Sequence, residues 1–294
     1  MFSGSIVAIV TPFKEGKVDE EAFRSLIEFQ IENGTSGIVP CGTTGESATL
    51  SMEEHCRVID IAVDCVRKRV PVIAGAGGNS TAEAVELTRH AKNSGADATL
   101  QVVPYYNKPT QEGLYQHFKT IADSVPLPQI LYNIPGRTSV NMLPETVARL
   151  AELPDIVAIK EASGSLPQMA EVLELAGDRI TLLAGDDNVV LPVLAIGGKG
   201  VISVIANLVP GELAELMKLW EKGDSTGARE AYYRLLPLCR AMFLETNPIP
   251  VKTALALTGK LTEGFRLPLT SMARSNVEKL VKVLDGYGLK RSPV

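Results

Sequence analysis

A chain of 294 residues, 45% of them hydrophobic and 21% charged, can bury a large core, and single α/β barrels reach this length as one domain. Its formal net charge of -5 disfavours nucleic acid or an anionic membrane surface as a partner, and no stretch approaches the roughly 20 apolar residues of a membrane span. The four cysteines, Cys41, Cys56, Cys65 and Cys239, lie far apart with no CxxC pair, so neither a disulfide scaffold nor a thiolate metal site is indicated and a reducing cytoplasm fits best.

In chain order, the apolar run 6–10 has no positive charge before it and leads straight into Thr11-Pro12, so it reads as a first strand and not as a secretory leader. Similar short runs follow at 37–39, 71–74, 98–103, 129–132, 156–160, 180–184 and 200–205, separated by longer stretches of helical period. Ser51-Met52-Glu53-Glu54 and Ser80-Thr81-Ala82-Glu83 both match the capping box, in which a serine caps backbone donors and the glutamate reaches back. Parallel βα units are implied, and strands apolar on both faces favour a closed (β/α)8 TIM barrel over an open doubly wound sheet. Beyond Pro210 the strand runs stop, and 212–221, 228–245, 251–257 and about 272–284 read as helices. The expected organisation is a barrel over 1–222 with a C-terminal helical extension over 223–294.

Chemistry in such a barrel lies at the C-terminal ends of the strands, where the βα loops gather. Lys160 sits there, inside the apolar run Ile156-Val157-Ala158-Ile159-Lys160-Glu161-Ala162. Burial disfavours an ammonium ion and exposes the free amine that attacks a carbonyl to form an imine. Strand alternation puts Ala158 and Ala162 on its face, leaving room for a substrate. A lone lysine in such a run more often snorkels to water from a strand end, so the neighbouring strands have to decide.

Three other strand ends carry polar groups: Gly42-Thr43-Thr44-Gly45-Glu46, Tyr105-Tyr106-Asn107 and Tyr132-Asn133. The glycines permit close backbone approach, and the threonine hydroxyls with nearby N–H groups can hold the carboxylate of a small keto acid. In isolation the same segment reads as an ordinary glycine turn; its place on the rim favours the anion cradle. Tyr132 can act as acid and base if Thr43 links it to another hydroxyl, or it can be a core tyrosine satisfied locally. Arg137, in Pro135-Gly136-Arg137-Thr138, is placed for a bidentate grip on a second carboxylate, though alone it reads as a surface arginine. Gly185-Asp186-Asp187 and Ile202-Ser203 would line the remaining wall or be plain loop and core.

Gly75-Ala76-Gly77-Gly78-Asn79-Ser80 has serine where a dinucleotide fingerprint needs its third glycine, and no phosphate loop occurs, so NAD and ATP are not supported. His55, His90 and His117 lack ligand spacing, which argues against a metal site. Lys199 precedes the eighth strand and falls at the wrong end of the barrel.

With these residues assembled, the chain closely resembles the dihydrodipicolinate synthase family (4-hydroxy-tetrahydrodipicolinate synthases), within the pyruvate-dependent class I aldolase superfamily that includes N-acetylneuraminate lyase. GTTGESATL from Gly42, PYYNKPTQEG from Pro104, YNIPGRT from Tyr132, IKEASG from Ile159 and GDD at Gly185 carry the resemblance over essentially the whole chain. It implies that Lys160 forms a Schiff base with pyruvate, needing no other cofactor. Tyr132 would exchange protons, and Thr43 and Tyr106 would complete the relay, with Tyr106 from a neighbouring subunit. Thr44 and the backbone at Ile202 would bind the pyruvate carboxylate, with Gly185 beside the substrate, and Arg137 would hold L-aspartate 4-semialdehyde. The alternative is a lyase of N-acetylneuraminate or a 2-keto-3-deoxy sugar acid aldolase, from which Arg137 argues away. The resemblance further implies a cytoplasmic homotetramer, a dimer of dimers, in L-lysine biosynthesis. Ser47, Ala48, His55, Asn79, Glu83 and Tyr105 match the feedback site for L-lysine. Met52 stands where the enterobacterial pattern has histidine, which leaves the strength of inhibition open, while Glu83 argues that some sensitivity remains.

Overall fold

The computed structural model describes residues 2–291. Its main sheet has eight parallel strands: β1 (Gly4–Ala8), β2 (Gly37–Val39), β3 (Ile73–Gly75), β4 (Ala98–Val102), β5 (Gln129–Asn133), β6 (Ile156–Glu161), β7 (Thr181–Ala184) and β8 (Gly200–Ser203). They neighbour one another in the order β2-β1-β8-β7-β6-β5-β4-β3, and a parallel bridge between Ile38 and Val72 joins the two ends. The sheet therefore closes into a (β/α)8 barrel. Each strand is followed by a helix: α1 (Glu20–Glu32), α2 (Met52–Val66), α3 (Thr81–Ser94), α4 (Gln111–Ser124), α5 (Pro144–Leu150), α6 (Leu166–Ala176), α7 (Val190–Ala195) and α8 (Pro210–Glu221). The C-terminal extension adds α9 (Ser225–Ala241), α10 (Ile249–Leu257) and α11 (Arg274–Tyr287).

Strand alternation divides the apolar side chains into two cores. Ile6, Ile73, Leu100, Ile130, Ala158, Leu183 and Ile202 fill the barrel interior, while Val7, Leu131, Ile159 and Leu182 pack outward against the helices. Burial of each such isoleucine or leucine is worth about 1.5–3 kcal/mol. The inward parity also selects Tyr132 and Lys160, two residues beyond Ile130 and Ala158.

Where strand ends differ from the expectation, a side chain has taken the backbone group the ladder would have used. β1 ends at Ala8 because the Val10 N–H donates to Asn207 Oδ1 (3.1 Å) while Asn207 Nδ2 donates to the Ala8 carbonyl (2.8 Å). β3 starts at Ile73, since the Val72 N–H donates to Asp97 (2.9 Å). β8 stops at Ser203 because Asp187 Oδ2 accepts from the N–H groups of Val204 and Ile205, both at 3.0 Å. α9 spans Ser225–Ala241 and not 228–245, started three residues earlier by Asp224, which accepts from the Gly227 N–H.

The capping box at Ser51 is complete: Ser51 Oγ accepts from the Glu54 N–H at 3.2 Å and Glu54 accepts from the Ser51 N–H at 3.0 Å. At Ser80 only half of it forms. Ser80 Oγ accepts from the Glu83 N–H at 3.5 Å, but the Glu83 side chain lines a cavity instead of reaching back.

The extension is tied to the barrel by Arg266, whose guanidinium grips both Glu54 oxygens (2.6 and 2.7 Å), donates to the carbonyls of Thr49 and Gly16, and lies 4.3 Å from the Phe13 ring centroid. Arg266, with help from Ser51, pulls the Glu54 carboxyl down from 4.5 to about 2. A folded-state pKa below the unfolded one stabilises the fold above about pH 4.5 and loses that contribution as pH falls towards 2. The stability gap between wild type and Arg266→Met, followed by urea unfolding, should therefore be widest above pH 4.5 and narrow steadily below it. A gap that does not change with pH would mean that Arg266 acts only through packing.

Candidate active site

β5 and β6 pair so that Tyr132 and Lys160 stand opposite one another. Both are buried, and Lys160 Nζ lies 4.2 Å from the Tyr132 ring centroid. Ala158 is inward-facing beside the lysine and Ala162 follows on the same face, so small side chains leave the space above the amine open. Behind the strand, Glu161 is wholly buried and accepts from Asn133 Nδ2, from the Ser163 N–H (2.7 Å) and from Gln168, a network that fixes the ends of both strands. Burial pushes the Glu161 carboxyl up, with these hydrogen bonds opposing it.

The loop after β7 brings two acids towards the amine. Burial raises the Asp186 carboxyl from 3.8 to about 6, with the positive charge of Lys160 acting against the rise. Asp187 is also pushed up by burial, and by accepting from the Val204 and Ile205 N–H groups it fixes the chain just after Ile202. Gly185 has no room for a side chain: a Cβ there would stand 2.5 Å from Ala162 Cβ and 2.9 Å from the Glu161 carbonyl oxygen.

The β2 loop supplies the threonines. Thr43 and Tyr132 line a common cavity of about 30 Å³ in the barrel mouth. Thr44 is buried, its hydroxyl accepting from Asn247 Nδ2 at 3.0 Å. Gly45 is packed under the loop, where a Cβ would meet the Cys41 nitrogen at 3.1 Å and the Ile9 carbonyl at 3.2 Å. Arg137, on a single helical turn (Pro135–Thr138), is exposed and donates through Nη2 to the Asn247 carbonyl at 3.0 Å. Asn247 thus touches both the threonine loop and the arginine. Its Oδ1 is buried with no hydrogen-bond partner among the described residues.

A larger cavity of about 310 Å³ runs beside the mouth, lined by Thr43, Arg137 and Asn247 and also by Ser47, Ala48, His55, Glu83 and Tyr105. Burial holds the His55 imidazole below its usual range, its Nε2 facing the Gly75 carbonyl at 2.6 Å. Burial, and then the charge of Glu83, raise the Tyr105 phenol. Asn79 is not among the lining residues; its carbonyl accepts from Asn107 Nδ2 at 2.8 Å. Tyr106 does not join this chain's own site: held at φ 75, it is 90% exposed. Lys160, Tyr132, Thr43, Thr44, Ile202, Gly185 and Arg137 come together at one end of the barrel, whereas Lys199 lies before β8 at the other. Among the described residues, no cluster of three or more His, Cys, Asp or Glu side chains has the geometry of a metal site.

The sequence model of the dihydrodipicolinate synthetase family matches residues 1–286. The chain belongs to that family. A 4-hydroxy-tetrahydrodipicolinate synthase of Thermodesulfovibrio yellowstonii is 63% identical over 98% of this chain and 99% of the relative. Among solved structures, the dihydrodipicolinate synthase of Acinetobacter baumannii complexed with pyruvate is 47% identical, with a TM-score of 0.97 over 99% of this chain and 100% of that one. The enzyme from Cyanidioschyzon merolae with lysine bound is 43% identical, with a TM-score of 0.96 over 98% of this chain and 99% of that one. Family membership makes the chain a lyase-type enzyme.

Reading the strand ends did not find Asn247, Glu161 or the pair Glu46–Lys252, whose charged atoms lie 2.5 Å apart with both side chains fully buried. One signal was available, a second lysine inside an apolar run, Ile249-Pro250-Val251-Lys252-Thr253-Ala254-Leu255.

Proposed function

We propose that the chain condenses pyruvate with L-aspartate 4-semialdehyde to 4-hydroxy-tetrahydrodipicolinate, in L-lysine biosynthesis by the diaminopimelate route. The observation that carries this reading is the buried Lys160 amine facing Tyr132, with a threonine cradle on one side and Arg137 on the other. The amine adds to C2 of pyruvate and water leaves, giving an imine. Loss of a methyl proton makes the enamine, whose carbon attacks the aldehyde carbonyl. Attack of the product's own amine on the imine carbon closes the ring and frees Lys160.

In this reading Tyr132 carries the protons, with Thr43 and a Tyr106 donated by a neighbouring subunit as the path to water. Thr44 and the backbone at Ile202 hold the pyruvate carboxylate, and Gly185 leaves space for the bound acid. No metal or organic cofactor is required, because the protonated imine is itself the electron sink. Residues 1–222 supply the barrel, and 223–294 form the extension that closes the site through Asn247. The lysine-bound relative supports a regulatory role for the second cavity, with Ser47, Ala48, His55, Glu83 and Tyr105 around free L-lysine, Glu83 pairing its ammonium, and Asn79 outside the lining. We further assign the chain to the cytoplasm as a dimer-of-dimers homotetramer. No helix among the described residues is long and apolar enough to cross a membrane.

Borohydride reduction in the presence of pyruvate tests the reading: one pyruvyl adduct is expected, on the peptide carrying Lys160, and an unmodified Lys160 defeats it. Steady-state assays with the semialdehyde and with polyhydroxylated aldehydes separate the synthase from a sugar-acid aldolase. Arg137→Ala should leave the adduct yield intact and raise the aldehyde KM by about 10- to 100-fold, as loss of a charge-assisted contact of about 1.5–3 kcal/mol demands. Loss of the adduct would reassign Arg137 to the pyruvate half of the site.

A further inference from the structure

The loop that carries Thr43 and Thr44 is strained at both ends. Cys41 and Glu46 both have φ of 55°, a left-handed conformation that residues other than glycine keep only when their surroundings over-determine it. At Glu46 the determinant comes from the far end of the chain. Lys252 Nζ, on α10, reaches Glu46 Oε1 at 2.5 Å, both side chains are wholly excluded from solvent, and the ammonium lies 4.3 Å from the Phe13 ring centroid and 5.1 Å from that of Phe265. The main chain of Glu46 is wired into the cradle. Its N–H donates to the Thr43 carbonyl at 3.1 Å, and its own carbonyl accepts from the N–H and the hydroxyl of Thr49, both at 3.0 Å. A rotation at Glu46 therefore moves Thr43 directly.

A wholly buried ion pair is a poor source of stability, because well-packed apolar side chains of similar volume serve as well or better. What it supplies is a single geometry: Glu46 Oε1 reaches the ammonium in that dry spot only with the loop in one conformation, while Oε2 is buried with no partner among the described residues. We propose that Glu46 and Lys252 are positioning residues for the keto acid, α10 setting through them the loop torsion that aims the Thr43–Thr44 cradle at the pyruvate carboxylate. The proposal rests on the imine-forming role given to Lys160.

Three variants test it, Glu46→Gln, Lys252→Met and the two combined, with Leu280→Ala in the buried face of α11 as a destabilised control. The readouts are Tm, the pyruvate concentration needed for half-maximal borohydride-trapped adduct at Lys160, and KM for the aldehyde. Each single variant should raise the pyruvate requirement at least about tenfold, the scale of an ångström-sized misplacement, with the aldehyde KM little changed. The combined variant leaves no charge buried unpaired, so it should recover Tm yet keep the raised pyruvate requirement. Leu280→Ala should lose Tm and bind pyruvate as wild type does.

If the combined variant regains wild-type pyruvate dependence together with Tm, or if a folded single variant never lost it, the pair is structural only and the proposal is overturned. Absence of an adduct in the wild type would instead strike the imine reading itself. A wild-type adduct with unaltered variants removes this inference alone.

Discussion

Lys160→Met should abolish the pyruvate adduct and lower turnover at least about 10⁴-fold, the scale on which removing a nucleophile that works as part of a unit is felt. Stability should hold or rise. Lys160 is buried beside apolar neighbours, and methionine fills a similar volume without an amine to desolvate. The informative competitor is Lys252, also buried and also inside an apolar run. Burial lowers the pKa of Lys252, but Glu46 acts against that shift, and at 2.5 Å the carboxylate occupies the ammonium in a spot with no exposure. The Lys160 amine instead faces an aromatic ring and two alanines, with no carboxylate among the described residues in a salt bridge to it, although Asp186 and Asp187 lie close enough to feel its charge. Peptide mapping after borohydride treatment decides between them: an adduct that persists in Lys160→Met and maps to Lys252 would move the chemistry to the wrong side of the cradle loop.

Much of the barrel was legible because parallel strands buried on both faces leave a strong local mark. The runs at 37–39, 98–103 and 129–132 fall on β2, β4 and β5 to within a residue. The strand-end errors share one cause, side-chain contacts from residues distant in sequence, whereas the start of α9 is set by the local cap at Asp224. Asn207 takes the groups at the end of β1, and Asp187 takes the two N–H groups beyond β8, each from a residue whose position no local window reveals. Glu83 makes the same point for helices. Its spacing from Ser80 matches the capping box, but the cavity beside Tyr105 offers the carboxylate another place, and half of the box does not form.

The site divides along the same line. Lys160, Tyr132 and the threonines lie at strand ends, so recognising the barrel was enough to bring them to one rim. Asn247 and Lys252 were invisible to that argument because the C-terminal helices read as an appendage, and so Glu46, named with the threonines, had no partner in view. In the folded chain residues 247–266 return to the mouth: Asn247 bridges Thr44 and Arg137, Lys252 holds Glu46, and Arg266 holds Glu54. The contacts to the threonine loop and to Glu54 span 203 to 212 residues of sequence, and the one from Asn247 to Arg137 spans 110. Pattern reading reaches one element at a time; the charge of Lys252 in an apolar helix was the single local trace of this closure.

Tyr132→Phe isolates the proton-transfer step, because the ring and its packing survive while the hydroxyl is lost. Loss of a positioned acid and base costs about 10²–10⁴ in rate, or roughly 2.7–5.4 kcal/mol of barrier. Both imine formation and turnover should slow by such a factor, since dehydration of the carbinolamine needs a proton at the departing oxygen and enamine formation needs a base. The pyruvate carboxylate grip does not involve the phenol, so the concentration giving half-maximal trapped adduct at long times should change little. Tyr132 stands in register with Lys160 on the neighbouring strand, which keeps the oxygen on the barrel side whichever substrate is bound. Single-turnover trapping with borohydride at successive times measures the first step and steady-state assays the second. Equal slowing of both supports one shared acid and base. Normal imine formation with slow turnover would confine Tyr132 to the condensation, and an unaffected kcat would leave the neighbouring carboxyl of Asp186, raised by burial to about 6, as the group positioned to carry the proton.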